Sequence, residues 1–220
     1  MKYARIVGSD REFPIGKILC IGRNYAEHIR ELGNETPAAP VIFIKPASSV
    51  IGDGGMIVIP PYSRECHHEA ELALLIGKEG KNIPQERAME HVAGFGVAID
   101  LTLRDVQAEL KKKGLPWEIA KGFDTACPLS PFVPAELVGT PQDLPIRLSV
   151  NGELRQDGST ALMIHPIPAI VSYMSGIFTL EPGDVILTGT PAGVGPLTPG
   201  DRVVAEIPGV GSLRVNVKLL

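Results

Sequence analysis

Two histidines and three carboxylates crowd the start of RECHHEAELALLIG, residues 64–77, just where the chain becomes as apolar as a core strand. Burying an unpaired carboxylate is costly, so Glu69 and Glu71 must either lie on a wet face or share a cation. If residues 67–76 form a strand, alternation puts His67, Glu69, Glu71, Ala73 and Leu75 on one face. The two carboxylates then sit about 7 Å apart along the strand by its usual rise. On a helix the same pair would diverge by about 200°. Close carboxylates repel unless a proton or a cation lies between them. Oxygen ligands suit Mg²⁺, Mn²⁺ or Ca²⁺ better than Zn²⁺. HHEAE is also not the HExxH zinc pattern, which needs a helix and two ligating histidines. An edge strand with solvated glutamates fits the spacing as well, and spacing alone leaves both readings open.

Other groups could join such a centre. Asp100 follows the apolar run VAGFGVAI and precedes a helical stretch, so it is either a third ligand at a strand end or a turn aspartate. His28 and Glu31 are three apart and share a face if helical, which is the arrangement of a carboxylate-held general base or of plain surface decoration. Lys121, in the apolar loop IAKGFDTACPLSP, either snorkels to solvent or offers a cation to an anionic substrate. Arg104 and Gln107 share one helical face after Asp100, which is either cleft or ordinary surface. TGTPAGVGPL, residues 188–197, lacks the Gly-Lys-Ser/Thr ending and following helix of a phosphate loop. Its backbone N–H groups and the Thr190 hydroxyl could still hold a carboxylate. His91 and His165 have no evident partners and are taken as structural.

The elements needed to position these groups are legible in outline. KILCIG reads as a buried strand, RNYAEHIRELG as a short helix ending at Gly33, and VIFIKP as another strand. HEAELALLIG is a strand closed by the turn GKEGKN. ERAMEHVAG starts helical, and GFGVAID returns as a strand ending on Asp100. Thr102 with Asp105 resembles a capping box, and Gly114 stops that helix. Residues 122–145 are loop-rich. IRLSVNGELRQ is a hairpin, with Asn151-Gly152 as its type I′ turn. IPAIVSYMSGI is a helix with proline near its first turn. DVILTGTP, DRVVAEI and SLRVNVKLL complete a chain that is mostly β with a few short helices and no regular βαβ alternation.

Length and composition set limits. The 220 residues suit one domain at 17–220 with an N-terminal appendage at 1–16, and 24 glycines with 20 prolines favour a strand-rich fold. A net charge of −4 without a basic run argues against nucleic acid. MKYARIVGSDREF has no continuous apolar core, and no later run is long enough to span a bilayer, so no membrane partner and a cytoplasmic location are expected. Cys20, Cys66 and Cys127 are odd in number and widely spaced, as reduced thiols would be.

Taken together, HHEAEL, AIDLTLRDVQ, KGFDTACPLSPF, VNGELRQDG and GDVILTGTPAGVG resemble the fumarylacetoacetate hydrolase family, closest to its short bacterial and FAHD-one-like acylpyruvase branch. The resemblance runs from about Lys17 to the C-terminus. It implies an α+β, mostly β fold, a mixed β-sandwich roll, in a homodimer with one Mg²⁺ or Mn²⁺ per site. It places metal ligands on Glu69, Glu71 and Asp100, a His–Glu dyad on His28 and Glu31, the active-site lysine on Lys121 and the TGTP threonine on Thr190. Arg104 and Gln107 join Thr190 as substrate-binding candidates. A small 2-oxo acid is the implied substrate. Water activation by the dyad favours hydrolysis of short acylpyruvates, with acetyl or fumaryl as the acyl group. Oxaloacetate decarboxylation or keto–enol tautomerisation are the alternatives on the same metal. Further readings are a 2-hydroxyhepta-2,4-diene-1,7-dioate-type isomerase and a non-catalytic cation-binding scaffold.

Overall fold

The strand Ala70–Ile76 shows how the layers stack. Its even residues Leu72, Leu74 and Ile76 enter one hydrophobic core, while Ala73 and Leu75 enter a second. A strand buried on both faces lies inside a sheet with layers on either side. In the computed structural model, which describes residues 1–220, that sheet has six strands. Their order is Val133–Pro134, Val92–Ile99, Ala70–Ile76, Val185–Leu187, Ile18–Gly22 and Val41–Lys45. The pairing is mixed: Val185–Leu187 runs parallel to Ile18–Gly22 and antiparallel to Ala70–Ile76.

A five-stranded sheet covers the even face. It contains the hairpin Pro145–Val150 and Glu153–Ser159, the antiparallel pair Arg202–Ile207 and Gly211–Leu219, and Met56–Ile59. Ile146, Leu148, Val203, Ala205, Leu213 and Val215 point inward against Leu72, Leu74, Val97 and Ile186, forming the sandwich core. On the odd face, Ala4 and Phe13 of the N-terminal hairpin join Cys20, Phe43, Leu129 and Phe132. The expected mostly-β sandwich roll is therefore observed.

Four α-helices sit at the margins: α1 (Ala26–Glu31), α2 (Arg104–Lys113), α3 (Glu118–Lys121) and α4 (Ile167–Ile177). Helix α2 ends on Gly114 in the left-handed conformation, as its position after three lysines implies. The capping box does not form. Helix α2 begins without a side-chain cap, because the Asp105 carboxylate accepts from Ser63 Oγ (2.7 Å) and Arg64 N (2.9 Å) as well as from Val106 N. Thr102 instead donates to Asp100 O at 3.4 Å. The stretch Gln85–His91 is a 3-10 helix rather than an α-helix.

The hairpin turn adopts φ 54° at Asn151 and φ 83° at Gly152, the left-handed pair of a type I′ turn. A Cβ added at Gly152 would meet nothing within 4 Å, so Gly152→Ala isolates the backbone cost. That cost is about 1–2 kcal/mol. The melting temperature should fall by about 2–8 °C for a chain of this size. An unchanged melting temperature would mean that the turn does not require the glycine.

Candidate active site

Glu69, Glu71 and Asp100 are buried, and one ligand atom from each lies within 4.8 Å of the others. Glu71 sits on the rigid central strand, opposite Ala98. The chain leaves the ladder at Glu69, between the strands Cys66–His68 and Ala70–Ile76. Asp100 follows Val92–Ile99 directly and its N–H donates to Glu69 O at 2.8 Å, so one backbone bond locks the two ligand segments together. The expected single face is broken at this point. His67 turns into a separate three-stranded sheet, pairing with Thr102 and Pro196, and its Nε2 lies 3.0 Å from Glu65 Oε1.

Three cations answer the carboxylates. Lys121 donates to Glu69 Oε2 at 2.9 Å and to Asp100 Oδ2 at 2.8 Å. It is the last residue of α3 and is buried, so it does not snorkel. Burial works to discharge its ammonium, but Asp100 and Glu69 outweigh burial and hold it above the ordinary lysine range. Arg104 Nη2 donates to Glu69 Oε1, and its Nη1 donates to Gln107 Oε1 at 2.9 Å. Burial would raise the Glu69 carboxyl, yet Lys121 and Arg104 push it well below the usual range.

The third cation, Lys45, was not foreseen in the sequence. It is wholly buried, and its ammonium donates to the carbonyls of Leu101 (3.1 Å), Lys121 and Ala126 (3.0 Å). Those three bonds use all three of its protons. Asp100 Oδ1 lies 2.7 Å from the same nitrogen and so feels its charge without receiving a hydrogen bond. That oxygen keeps its lone pairs for another cation. Glu71 points the same way, since burial, then Asp100 and Glu69, raise its carboxyl well above the usual range. Only Gly189 N, at 2.6 Å, donates to it. Three converging carboxylates with a free lone pair and an under-compensated charge are a fit for a hard divalent ion.

His28, Gln107 and Thr190 line the same cleft. His28 on α1 is buried and faces the triad, with its Nδ1 3.2 Å from Glu31 Oε2. Glu31 does not line the cleft, but its Oε1 accepts from Gly193 N at 2.9 Å and so ties α1 to the TGTP loop. Gln107 and Thr190 are both buried in the cleft wall. Gly189 has φ +92°, and a Cβ there would come within 2.8 Å of Asn24 Cβ, which explains the glycine between the two threonines.

Gln156 is a second residue that the sequence did not single out. It is fully buried, and its Oε1 accepts from Ala70 N at 2.9 Å. Its amide end therefore donates to Thr190 Oγ1 (2.8 Å) and Pro191 O (3.0 Å). Because Oγ1 already accepts, the Thr190 proton is left to be donated elsewhere. His68 completes this knot, with its Nδ1 3.2 Å from Gln156 Oε1. The signal for Gln156 was weak: a glutamine in a hairpin arm, among exposed polar neighbours.

Residues 17–218 match the family described as "Fumarylacetoacetate (FAA) hydrolase C-terminal". The chain is 51% identical over 201 residues to the oxaloacetate tautomerase FAHD1, mitochondrial, of Mus musculus, covering 91% of each. It is 50% identical over 203 residues to the oxaloacetate tautomerase YcgM of Escherichia coli (strain K12), covering 92% of this chain and 93% of that one. The crystal structure of fumarylpyruvate hydrolase from Pseudomonas aeruginosa in complex with Mn²⁺ and pyruvate superposes with a TM-score of 0.96 at 42% identity. That match covers 100% of this chain and 96% of that chain.

Two stability outcomes follow from the geometry. Lys45→Met strands a buried carboxylate and three carbonyls, and should cost about 3–5 kcal/mol in urea denaturation. A smaller loss than a surface lysine shows would overturn the anchoring role. Burial lowers His68 to about 4, against an ordinary 6.5. Between those values the unfolded chain binds the extra proton, so stability rises with pH across the window. The protein should be about 3 kcal/mol less stable at pH 4 than at pH 7 from this group alone. In His68→Asn that part of the pH dependence should vanish, as read from denaturation midpoints at both pH values.

Proposed function

The chain belongs to the fumarylacetoacetate hydrolase family, and from that premise we propose that it is a divalent-metal-dependent enzyme interconverting the keto and enol forms of oxaloacetate. One observation carries the reading. An acidic triad, two cations bonded to it and a buried histidine paired with a carboxylate converge on one cleft. That is an electron sink beside a proton carrier, which is what enolisation needs. The names borne by the mouse and E. coli relatives support oxaloacetate as the substrate.

Glu69, Glu71 and Asp100 would hold Mg²⁺ or Mn²⁺, which when bound supplies a Lewis acid for the 2-oxo carbonyl. Lys121 stands beside the triad and stabilises the negative charge that grows on the 2-oxo oxygen. Glu31 accepts the Nδ1–H of His28 and so leaves Nε2 as the nitrogen that takes a proton from the neighbouring carbon and returns it. Thr190, its hydroxyl oriented by Gln156, donates to the substrate carboxylate, and Arg104 and Gln107 complete the anionic end. The assembly is taken to be the homodimer implied by the family resemblance.

A second reading is hydrolysis of an acylpyruvate, with the same histidine taking its proton from water instead of carbon. The likeness to the P. aeruginosa fumarylpyruvate hydrolase supports it. The two readings separate in one assay. Solid enol oxaloacetate is dissolved and its ultraviolet absorbance followed with Mg²⁺, with EDTA and without protein, while pyruvate is measured in parallel. Tautomerisation predicts a Mg²⁺-dependent acceleration without pyruvate. Pyruvate from fumarylpyruvate or acetylpyruvate would favour the hydrolase, and pyruvate from oxaloacetate a decarboxylase. No metal-dependent change with any of these substrates would sink the enzymatic proposal. His28→Ala should slow tautomerisation by about 10²-fold or more.

A further inference from the structure

Arg104 and Lys121 are matched by the carboxylates they touch, but two other cations in the cleft are not. Arg23 and Lys111 line the same cavity as the triad. Neither has a carboxylate oxygen within 4.0 Å. Arg23 gives a hydrogen bond only to a neutral group, Asn34 Oδ1, at 3.0 Å. Lys111 lies over the Trp117 ring, 5.4 Å from its centroid. Its ammonium is pushed down to about 8, first by burial and then by the nearby charges of Arg23, Arg104 and Lys121. Half-buried cations that repel one another and lack a counter-ion cost stability until an anion arrives.

The backbone adds a second observation. Arg23 has φ 60°, a left-handed conformation that a residue with a long side chain seldom adopts. It sits in the short link between the strand Ile18–Gly22 and α1. That strain presents the guanidinium at the cleft, and non-glycine residues held this way concentrate at ligand sites.

We propose that Arg23 and Lys111 form an anion subsite that binds the distal carboxylate of the substrate. The protein then selects 2-oxo acids that end in a second carboxylate over those that end in a neutral group. This rests on the 2-oxo acid reading of the triad and deepens it. The 2-oxo carboxylate is held at the triad end by Thr190 and Gln107, and the other end of the chain is neutralised by the Arg23–Lys111 pair. Such a subsite suits a dicarboxylate such as oxaloacetate or fumarylpyruvate and leaves acetylpyruvate with two cations unanswered.

Trp117 is the chain's single tryptophan and touches this subsite, so its fluorescence reports occupancy without turnover. The Mg²⁺-loaded protein is titrated with pyruvate and with two matched pairs of probes. The pairs are oxaloacetate against 2-oxobutyrate, and 2-oxoglutarate against 2-oxopentanoate. In the native protein the dicarboxylate of at least one pair should bind about tenfold or more tighter than its methyl-ended partner, as one charge-assisted contact would give. In the Arg23→Gln/Lys111→Met double variant that ratio should fall to near one. Each ratio is taken within one protein, so a general loss of affinity does not count. If the double variant binds no probe, the two single variants are judged by the same ratio. No preference at either length, or a preference that survives the substitutions, overturns the subsite while pyruvate binding leaves the metal reading standing. If pyruvate and all four probes fail to bind the native protein, the 2-oxo acid reading falls and the subsite falls with it.

Discussion

The Lys45 ammonium has three protons and four oxygens around it, and the whole site depends on how they are shared. A fully desolvated ammonium is tolerable only if every proton is bonded and its charge is answered. Here the protons go to three backbone carbonyls, and the charge is answered by Asp100. The carbonyls belong to the segment after the strand Val92–Ile99, to the end of α3 and to Ala126, so one buried side chain fixes three loops at once. Two of those loops carry Asp100 and Lys121. A residue that does not line the cleft thereby sets the distance between an acidic ligand and the cation facing it.

The same division of labour recurs around the triad. Glu71 stands on the central strand of a two-sided sheet, while Glu69 and Asp100 sit at ladder interruptions that let their carboxylates turn toward it. His28 lies on a helix of six residues that is held to the TGTP loop through Glu31 and Gly193. Of the charged groups in the cleft, only Glu71 is rooted in a sheet strand, whereas Lys121, Arg104 and His28 are carried by short helices at its margin.

Residues whose partners are near in sequence were legible, and those whose partners are far away were not. The type I′ turn at Asn151-Gly152 and the left-handed stop at Gly114 follow from backbone chemistry alone. Period-two alternation placed Glu71 correctly with Ala73 and Leu75. It missed the break at Glu69, because a one-residue interruption leaves the pattern of residue types unchanged. The capping box failed because Ser63 and Arg64, about forty positions upstream, compete for Asp105. Lys45 reads as a polar strand end, and Gln156 as one more polar residue in a hairpin. Their partners lie 34 to 88 positions away, so only the fold reveals them.

On the oxaloacetate reading, a chain of net charge −4 must draw a dianion into a cleft walled by its own carboxylates. Long-range steering does not provide this attraction, since opposing surface charges are screened over about 8 Å at physiological salt. The local order of charge can. Lys121 and Arg104 neutralise the triad from inside, so the carboxylates do not repel an incoming anion as free charges would. Arg23 and Lys111 line the same cleft without a carboxylate partner. An anion entering the cleft therefore meets two cations without a carboxylate partner beside carboxylates whose charge is only partly answered. In the subsite proposed above, selection for a second carboxylate rests on these two cations. The same pair would serve tautomerisation and hydrolysis alike, because neither reaction breaks a bond to the distal carboxylate.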